Sequence, residues 1–266
     1  MLRPRNGKSP RVAMGSPGKR LYAVGDVHGS LVELDQLLAL IAADHAARDE
    51  RPCHIVFLGD LIDRGPDSRG VLRRLMQDKP GFARLHFIRG NHEEMFVRCL
   101  TGEPELIASW LSHGGHACAR SYGVDPSLLH ETDPGLLEQA LLSCIPKAHI
   151  DFLGGFVDTV RFGDYFLVHA GIRPGVALAD QKPSDLRWIR ADFISSDAAH
   201  EAVIVHGHTP QEQVVCLSNR ISVDTGAYFS GRLSAVRLEE DEVSILTTSA
   251  EGVYAQGPGA AGLDRQ

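Results

Sequence analysis

The chain contains no closely spaced cysteine pair. Its five cysteines, Cys53, Cys99, Cys118, Cys144 and Cys216, are scattered and odd in number. This spacing argues against a disulfide framework or a zinc ribbon and suits buried thiols in a reducing compartment. No apolar run is long enough to span a bilayer. Net positive charge is also lacking. The formal charge is -7, so no global field recommends nucleic acid as a partner. The exception is local: Arg3, Arg5, Lys8, Arg11, Lys19 and Arg20 lie in the first twenty residues with no acid among them. Pro4, Pro10 and Pro17 break that stretch, and it has none of the apolar core that a secretory signal requires. The cytoplasm is the expected location.

What is present is ordinary for a globular protein. Hydrophobic residues make up 43% and charged residues 23% of 266 positions. That length suits one large α/β domain. Residues 1–19, rich in Pro, Gly, Ser and Arg, read as a disordered basic tail. Residues 249–266 read as a flexible C-terminal tail, and residues 20–248 as the folded domain. In its first part, apolar runs at Leu21–Val24, His54–Leu58 and Arg84–Ile88 are each followed by a helical pattern. Such alternation predicts parallel strands with crossover helices. Ser30 and Glu33 predict a capping box at the first helix. A mainly helical insert is expected over 102–150, with Asp133-Pro134 opening one of its helices. Beyond it the sequence is β-rich, with a hairpin about Phe162-Gly163-Asp164 and tight turns at Ser218-Asn219 and Glu240-Asp241.

Five of the apolar runs end in clusters of polar residues. These are Gly25-Asp26-Val27-His28-Gly29, Gly59-Asp60-Leu61-Ile62-Asp63-Arg64-Gly65, Gly90-Asn91-His92-Glu93, His169-Ala170-Gly171 and His206-Gly207-His208-Thr209. Open α/β sheets build their sites at such strand ends. Carboxylates, an amide and imidazoles without thiolate form a mixed oxygen and nitrogen donor set, which suits Mn²⁺, Fe²⁺ or Zn²⁺. Six candidate ligands exceed what one catalytic metal needs. Two metals ~3.5–4 Å apart, sharing a carboxylate, fit the count.

These motifs, in this order, resemble the phosphoprotein phosphatase branch of the calcineurin-like metallophosphoesterases, in particular the small bacterial serine/threonine phosphatases. The resemblance spans most of residues 20–236. It implies an α/β fold, a β-sandwich of two mixed sheets flanked by helices. It also implies two divalent metal ions, with Mn²⁺ expected and Fe²⁺ or Zn²⁺ compatible. Asp26 and His28 would hold the first metal, Asp60 would bridge, and Asn91, His169 and His208 would hold the second. A metal-bridging hydroxide would attack phosphorus directly. His92 would protonate the leaving group, oriented by Asp63, and Arg64, Asn91 and Arg190 would bind the phosphoryl oxygens. Arg190 is assigned through Leu186-Arg187-Trp188-Ile189-Arg190, which is similar to a bacterial L-x-W-x-R segment.

Each residue alone has a plainer reading. Asp26 could be a helix-start acid, Asp63-Arg64 a surface ion pair, Asn91 a turn residue and His169 a core histidine. Their joint occurrence favours the site. His206 is expected to hydrogen-bond near the metals rather than bind one. Glu93 is expected at a helix start. Asp224-Thr225-Gly226-Ala227 could line the pocket floor or simply form a turn.

The resemblance leaves two substrate classes: phosphoserine and phosphothreonine in proteins, or diadenosine tetraphosphate cleaved symmetrically. Asp63 favours phosphomonoesters, because dinucleotide hydrolases of the superfamily tend to lack an acid at that position. An inactive binding module is disfavoured by the complete ligand set, and a nucleic-acid phosphodiesterase by the acidic charge. The S-A-P-N-Y-C segment of the eukaryotic members does not follow the last histidine motif, where Asp224–Gly231 stands instead, so regulatory subunits are not expected to dock; a monomer is expected. Neither nucleic acid nor membrane is an expected partner.

Overall fold

The computed structural model describes residues 12–249 and 254–256. Eleven strands are present among them: β1 (Arg20–Val24), β2 (Cys53–Phe57), β3 (Ala83–Phe87), β4 (Thr159–Phe162), β5 (Tyr165–Val168), β6 (Val203–His206), β7 (Val215–Cys216), β8 (Arg220–Ser222), β9 (Ser234–Glu239), β10 (Glu242–Thr247) and β11 (Tyr254–Gln256). They form a six-stranded sheet ordered β11-β10-β9-β1-β2-β3 and a five-stranded sheet ordered β4-β5-β6-β8-β7. Both sheets are mixed. β1, β2 and β3 run parallel, as do β5, β6 and β8, while β9 is antiparallel to β1 and β4 to β5.

The period-two alternation of side chains creates the layers. Leu21, Ala23, Val56 and Leu58 face the second sheet and pack with Leu167, Val205, Ile221 and Val223. Their neighbours Tyr22, Val24, Ile55 and Phe57 face the other way, against helices. Those helices include α1 (Leu31–Ala46), α2 (Ser68–Gln77) and α3 (Asn91–Cys99). The insert contributes α4 (Ile107–Trp110), a widened turn at Leu111–Gly115, α5 (His116–Ser121), α6 (Pro134–Cys144) and α7 (Lys147–Gly154). On the far side of the second sheet, α8 (Pro183–Trp188) and α9 (Ala191–Ile194) cover Phe166, Val168 and Ile204. A short α10 (Ala227–Ser230) follows β8. The architecture is the expected α/β sandwich of two mixed sheets flanked by helices.

Local sequence signals explain most boundaries. Asp133 caps α6 by accepting from the Gly135 and Leu136 amides, with Pro134 in the first turn. The predicted capping box at Ser30 and Glu33 does not form. Ser30 is the N-cap of α1 but makes no side-chain cap hydrogen bond. The preceding turn is drawn onto the Asp60 loop, with Val27, His28 and Gly29 amides donating to Asp60 and Leu61 carbonyls. That long-range pairing sets the backbone where a local cap would otherwise have set it.

Both predicted tails lie partly outside the described residues. Of the first, residues 12–19 pack on the body: the Gly15 amide donates to Glu240 O at 2.6 Å, and Ala13 sits against the inter-sheet core. Of the second, 254–256 pair with β10. All five cysteines are free. Cys53, Cys99 and Cys118 are buried, but Cys216 is exposed, contrary to the expectation that the thiols are inside.

A charged network fastens α1 to the first sheet. The Tyr22 hydroxyl donates to Asp44 at 2.7 Å, and the Arg237 guanidinium donates to both Asp44 oxygens at 3.0 Å. Burial would push the Asp44 carboxyl up, but Tyr22 and Arg237 outweigh it and hold it below the usual carboxylate range. A depressed folded-state value stabilises the fold above the unfolded carboxylate pKa and loses that contribution as pH falls through the folded value. Asp44→Ala should therefore cost about 1–2 kcal/mol at neutral pH, allowing for partial exposure. In urea denaturation, the gap between wild type and variant should narrow below about pH 4.

Candidate functional site

Six strand ends converge at one edge of the sandwich. β1 leads into Asp26 and His28, β2 into Asp60–Arg64, and β3 into Asn91–Glu93. From the other sheet, β5 leads into His169, β6 into His208, and β8 into Asp224. The sixth is the segment that the sequence leaves open between pocket floor and turn. Its signal is an acid after the strand residues Ile221-Ser222-Val223, without a recognisable motif.

Asp60 lies at the centre. Its carboxylate oxygens are 3.5 Å from His28 Nε2 and 3.4 Å from His169 Nε2. Two donor groups share it: His28, Asp60 and His92 form one, and Asp60, His169 and His208 the other. His169 Nε2 is 3.0 Å from Asn91 Oδ1 and 3.1 Å from His208 Nδ1. Asp26 turns its carboxylate to the His208 amide, at 3.1 and 3.2 Å.

The ring orientations suit metal ligation. His28 Nδ1 donates to Ile62 O at 2.8 Å and His169 Nδ1 to Leu58 O at 2.9 Å. Backbone carbonyls thus fix the proton on Nδ1 and leave Nε2 as the free donor pair. His28 Nε2 and His208 Nε2 are buried ring nitrogens with no hydrogen-bond partner. Burial pushes His28 down to about 3 and His208 to about 2, so both stay neutral. Burial, reinforced by Asp224 and Asp60, pushes Asp26 well above its ordinary value, and burial lifts Asp224 to about 6. Such crowding of buried carboxylates beside unpartnered imidazoles is what divalent cations relieve. The residues present therefore fit a pair of metals.

His206 is not among them. Its Nδ1 donates to Gly207 O at 3.0 Å and its Nε2 meets Ser222 Oγ at 2.8 Å, so both nitrogens are engaged.

Beside the cluster, His92 Nδ1 contacts Asp63 Oδ2 at 2.7 Å, and His92 Nε2 lies 3.0 Å from the Arg64 guanidinium. Burial disfavours charge on His92, but Asp60 and Asp63 outweigh it and raise its pKa. Arg190 is exposed and donates to His208 O at 3.2 Å, at the rim. Tyr228, which sequence reasoning missed, sits edge-on to His28 at 5.4 Å between ring centroids, and the Arg64 guanidinium lies 5.3 Å from its ring centre.

Glu93 holds the loops together. Its carboxylate accepts from the Asp60, Leu61 and Gly90 amides at 2.8, 2.7 and 2.9 Å. Gly90 has no room for a side chain, since a Cβ there would strike Asp60. Of the six non-glycine residues with positive φ among the described residues, five are site residues: His28, Asp60, Asp63, Arg64 and His208, with φ of 45, 51, 70, 65 and 65°. Each such conformation costs on the order of 1–3 kcal/mol and persists only where surrounding contacts enforce it.

The calcineurin-like phosphoesterase family profile matches residues 19–246. Similar proteins include the asymmetrical bis(5'-nucleosyl)-tetraphosphatase PrpE of Bacillus thuringiensis, 27% identical over 245 residues, with 85% of this chain and 93% of that protein covered. PrpE of Bacillus velezensis is 27% identical over 249 residues, with 85% and 92% covered. Among solved structures, a candidate diadenosine tetraphosphatase superposes with TM-score 0.58 at 19% identity, covering 94% of this chain and 98% of that one. A cold-active protein tyrosine phosphatase gives TM-score 0.52 at 18% identity, covering 95% and 84%. The two superpositions concern the fold, while the profile spans nearly all of the folded region. This chain belongs to the calcineurin-like phosphoesterase family, a family of phosphoester hydrolases that uses a dimetal centre.

Proposed function

We propose that this phosphoester hydrolase acts on phosphomonoesters of alcohols, as a serine/threonine protein phosphatase of the phosphoprotein phosphatase branch. The observation that carries the reading is the buried Asp63–His92 pair beside the metal cluster. An alkoxide such as that of serine is a strong base and leaves only with a proton. A nucleotide phosphate is a weak base and leaves without one. A fixed acid is therefore most useful on alkyl phosphates.

In this reading Asp26, His28, Asp60, Asn91, His169 and His208 hold two divalent metals, with Asp60 shared. When bound, the metals supply Lewis acidity and a more acidic water, and Mn²⁺ is the expected ion. The chain's own groups do the rest. Arg64 and Arg190 grip phosphoryl oxygens, and Asn91 adds an amide contact. In the structure His92 Nε2 accepts from the Arg64 guanidinium; once Arg64 turns to the phosphoryl oxygens, the imidazolium gives its Nε2 proton to the leaving oxygen, while Asp63 on Nδ1 fixes the ring. Burial of the cluster keeps bulk water from these contacts.

A second reading is hydrolysis of dinucleoside tetraphosphates, favoured by the names of the PrpE relatives. Those names specify asymmetrical cleavage, so this version replaces the symmetrical one expected from sequence.

The two readings separate on purified Mn²⁺-loaded enzyme. Phosphoserine and phosphothreonine peptides should turn over faster than diadenosine tetraphosphate in side-by-side assays; the reverse order would transfer the assignment to dinucleotides. Asp60→Asn should lose bound metal and activity together, read by elemental analysis and p-nitrophenyl phosphate turnover. Retention of wild-type turnover would remove Asp60 from the bridging role.

A further inference from the structure

The insert bears directly on the site through the stretch Trp110–Gly115 and, just beyond it, Cys118. Trp110 is 1% exposed, and its indole N–H donates to both Asp63 oxygens at 3.1 and 2.9 Å. Its ring is fixed by an edge contact with Phe96, 5.5 Å between centroids. Four residues later, Gly114 O accepts from the Arg64 amide at 3.1 Å. Gly114 has φ 114°, and a Cβ there would lie 2.7 Å from Arg64 Cγ and 2.9 Å from Arg64 N. The stretch therefore contacts two successive residues, Asp63 and Arg64, whose φ of 70 and 65° neither side chain favours.

These contacts complete the surroundings of Asp63. Its amide donates to Ser68 Oγ at 2.9 Å, and the buried Cys118 thiol lies against Asp63 and Ser68. A fully buried carboxylate has few conformations once two N–H donors and a weakly donating thiol fix it. One of the N–H donors is His92 Nδ1, and the other is the Trp110 indole. Without the indole, the carboxylate could turn about its side chain and carry the imidazole with it.

We propose that Trp110 is a positioning residue for hydrolysis, acting through Asp63 to aim His92, and that Gly114 does the same for Arg64 through its carbonyl. The proposal rests on the reading of His92 as the proton donor. It gives the insert a role in the chemistry itself. Trp110 touches no substrate. Its effect is on the direction of the His92 Nε2 proton, so loss should scale with how much the leaving group needs that proton.

The test uses full-length Mn²⁺-loaded enzyme with phenyl phosphate, a poor leaving group, and p-nitrophenyl phosphate, a good one. Trp110→Phe keeps a ring against Phe96 and removes only the donor. It should lower kcat about tenfold on phenyl phosphate and about twofold on p-nitrophenyl phosphate, with metal content unchanged. In a His92→Asn background, adding Trp110→Phe should have no further effect on the contrast. Equal losses on both substrates, or none on either, would overturn the proposal. His92→Asn alone reports on the underlying reading. If it shows the leaving-group contrast and Trp110→Phe does not, the acid role stands and the positioning role falls. If His92→Asn shows no contrast, both fall. Should Trp110→Phe not fold, Gly114→Ala tests the same stretch through Arg64. It should raise KM several-fold at unchanged metal content, and an unchanged KM would overturn the role of the stretch.

Discussion

Asp60 is a carboxylate removed from water, and much of the surrounding structure exists to hold it there. Burial opposes its charge, yet His169 and His92 crowd around it and hold it well below its ordinary pKa. Its own amide is tied to Glu93, its carbonyl accepts from the Val27 and His28 amides, and one carboxylate oxygen accepts from the His92 amide at 3.1 Å. Each contact links the Asp60 loop to the end of a neighbouring strand. A carboxylate so enclosed, with Asp26 and Asp224 close by, stores electrostatic stress that divalent cations neutralise.

The stress is matched by backbone strain. Positive φ at His28, Asp60, Asp63, Arg64 and His208 would be ordinary for glycine, but these positions carry the side chains gathered at the strand ends. The contacts that enforce these conformations come mostly from elements far away in sequence, Ser68 being the near exception. Gly114 holds Arg64, Ser68 holds the Asp63 amide, and Asp26 receives the His208 amide across the two sheets. The sandwich core between β1, β2, β5, β6 and β8 keeps the strand ends in register so that these contacts can form.

The family profile and the strand-end cluster fix the reaction class as phosphoester hydrolysis. The PrpE relatives draw attention to dinucleotides, and the Asp63–His92 pair to alcohols as leaving groups. Leaving-group basicity is the physical quantity that separates them, because an alkoxide needs a proton to leave and a nucleotide phosphate does not.

Much of the site was legible in the sequence. The ligand-type residues follow apolar runs and adjoin glycines, and strand polarity puts such positions at one sheet edge. Strand alternation and the Asp133-Pro134 cap likewise depend on near neighbours, so they were readable. Trp110 and Tyr228 were not legible, since no spacing relates an indole in a helical insert to a carboxylate 47 positions earlier, and Asp224 was left between pocket floor and turn. The Ser30 capping box failed for the same reason: pairing of its turn with the Asp60 loop outweighed a local preference. The sequence by itself determined the chemistry of the donors, because that is a property of residue types after strands. Only the tertiary structure decided which groups hold those donors in place, because hydrogen bonds across the sandwich join residues that the chain keeps far apart.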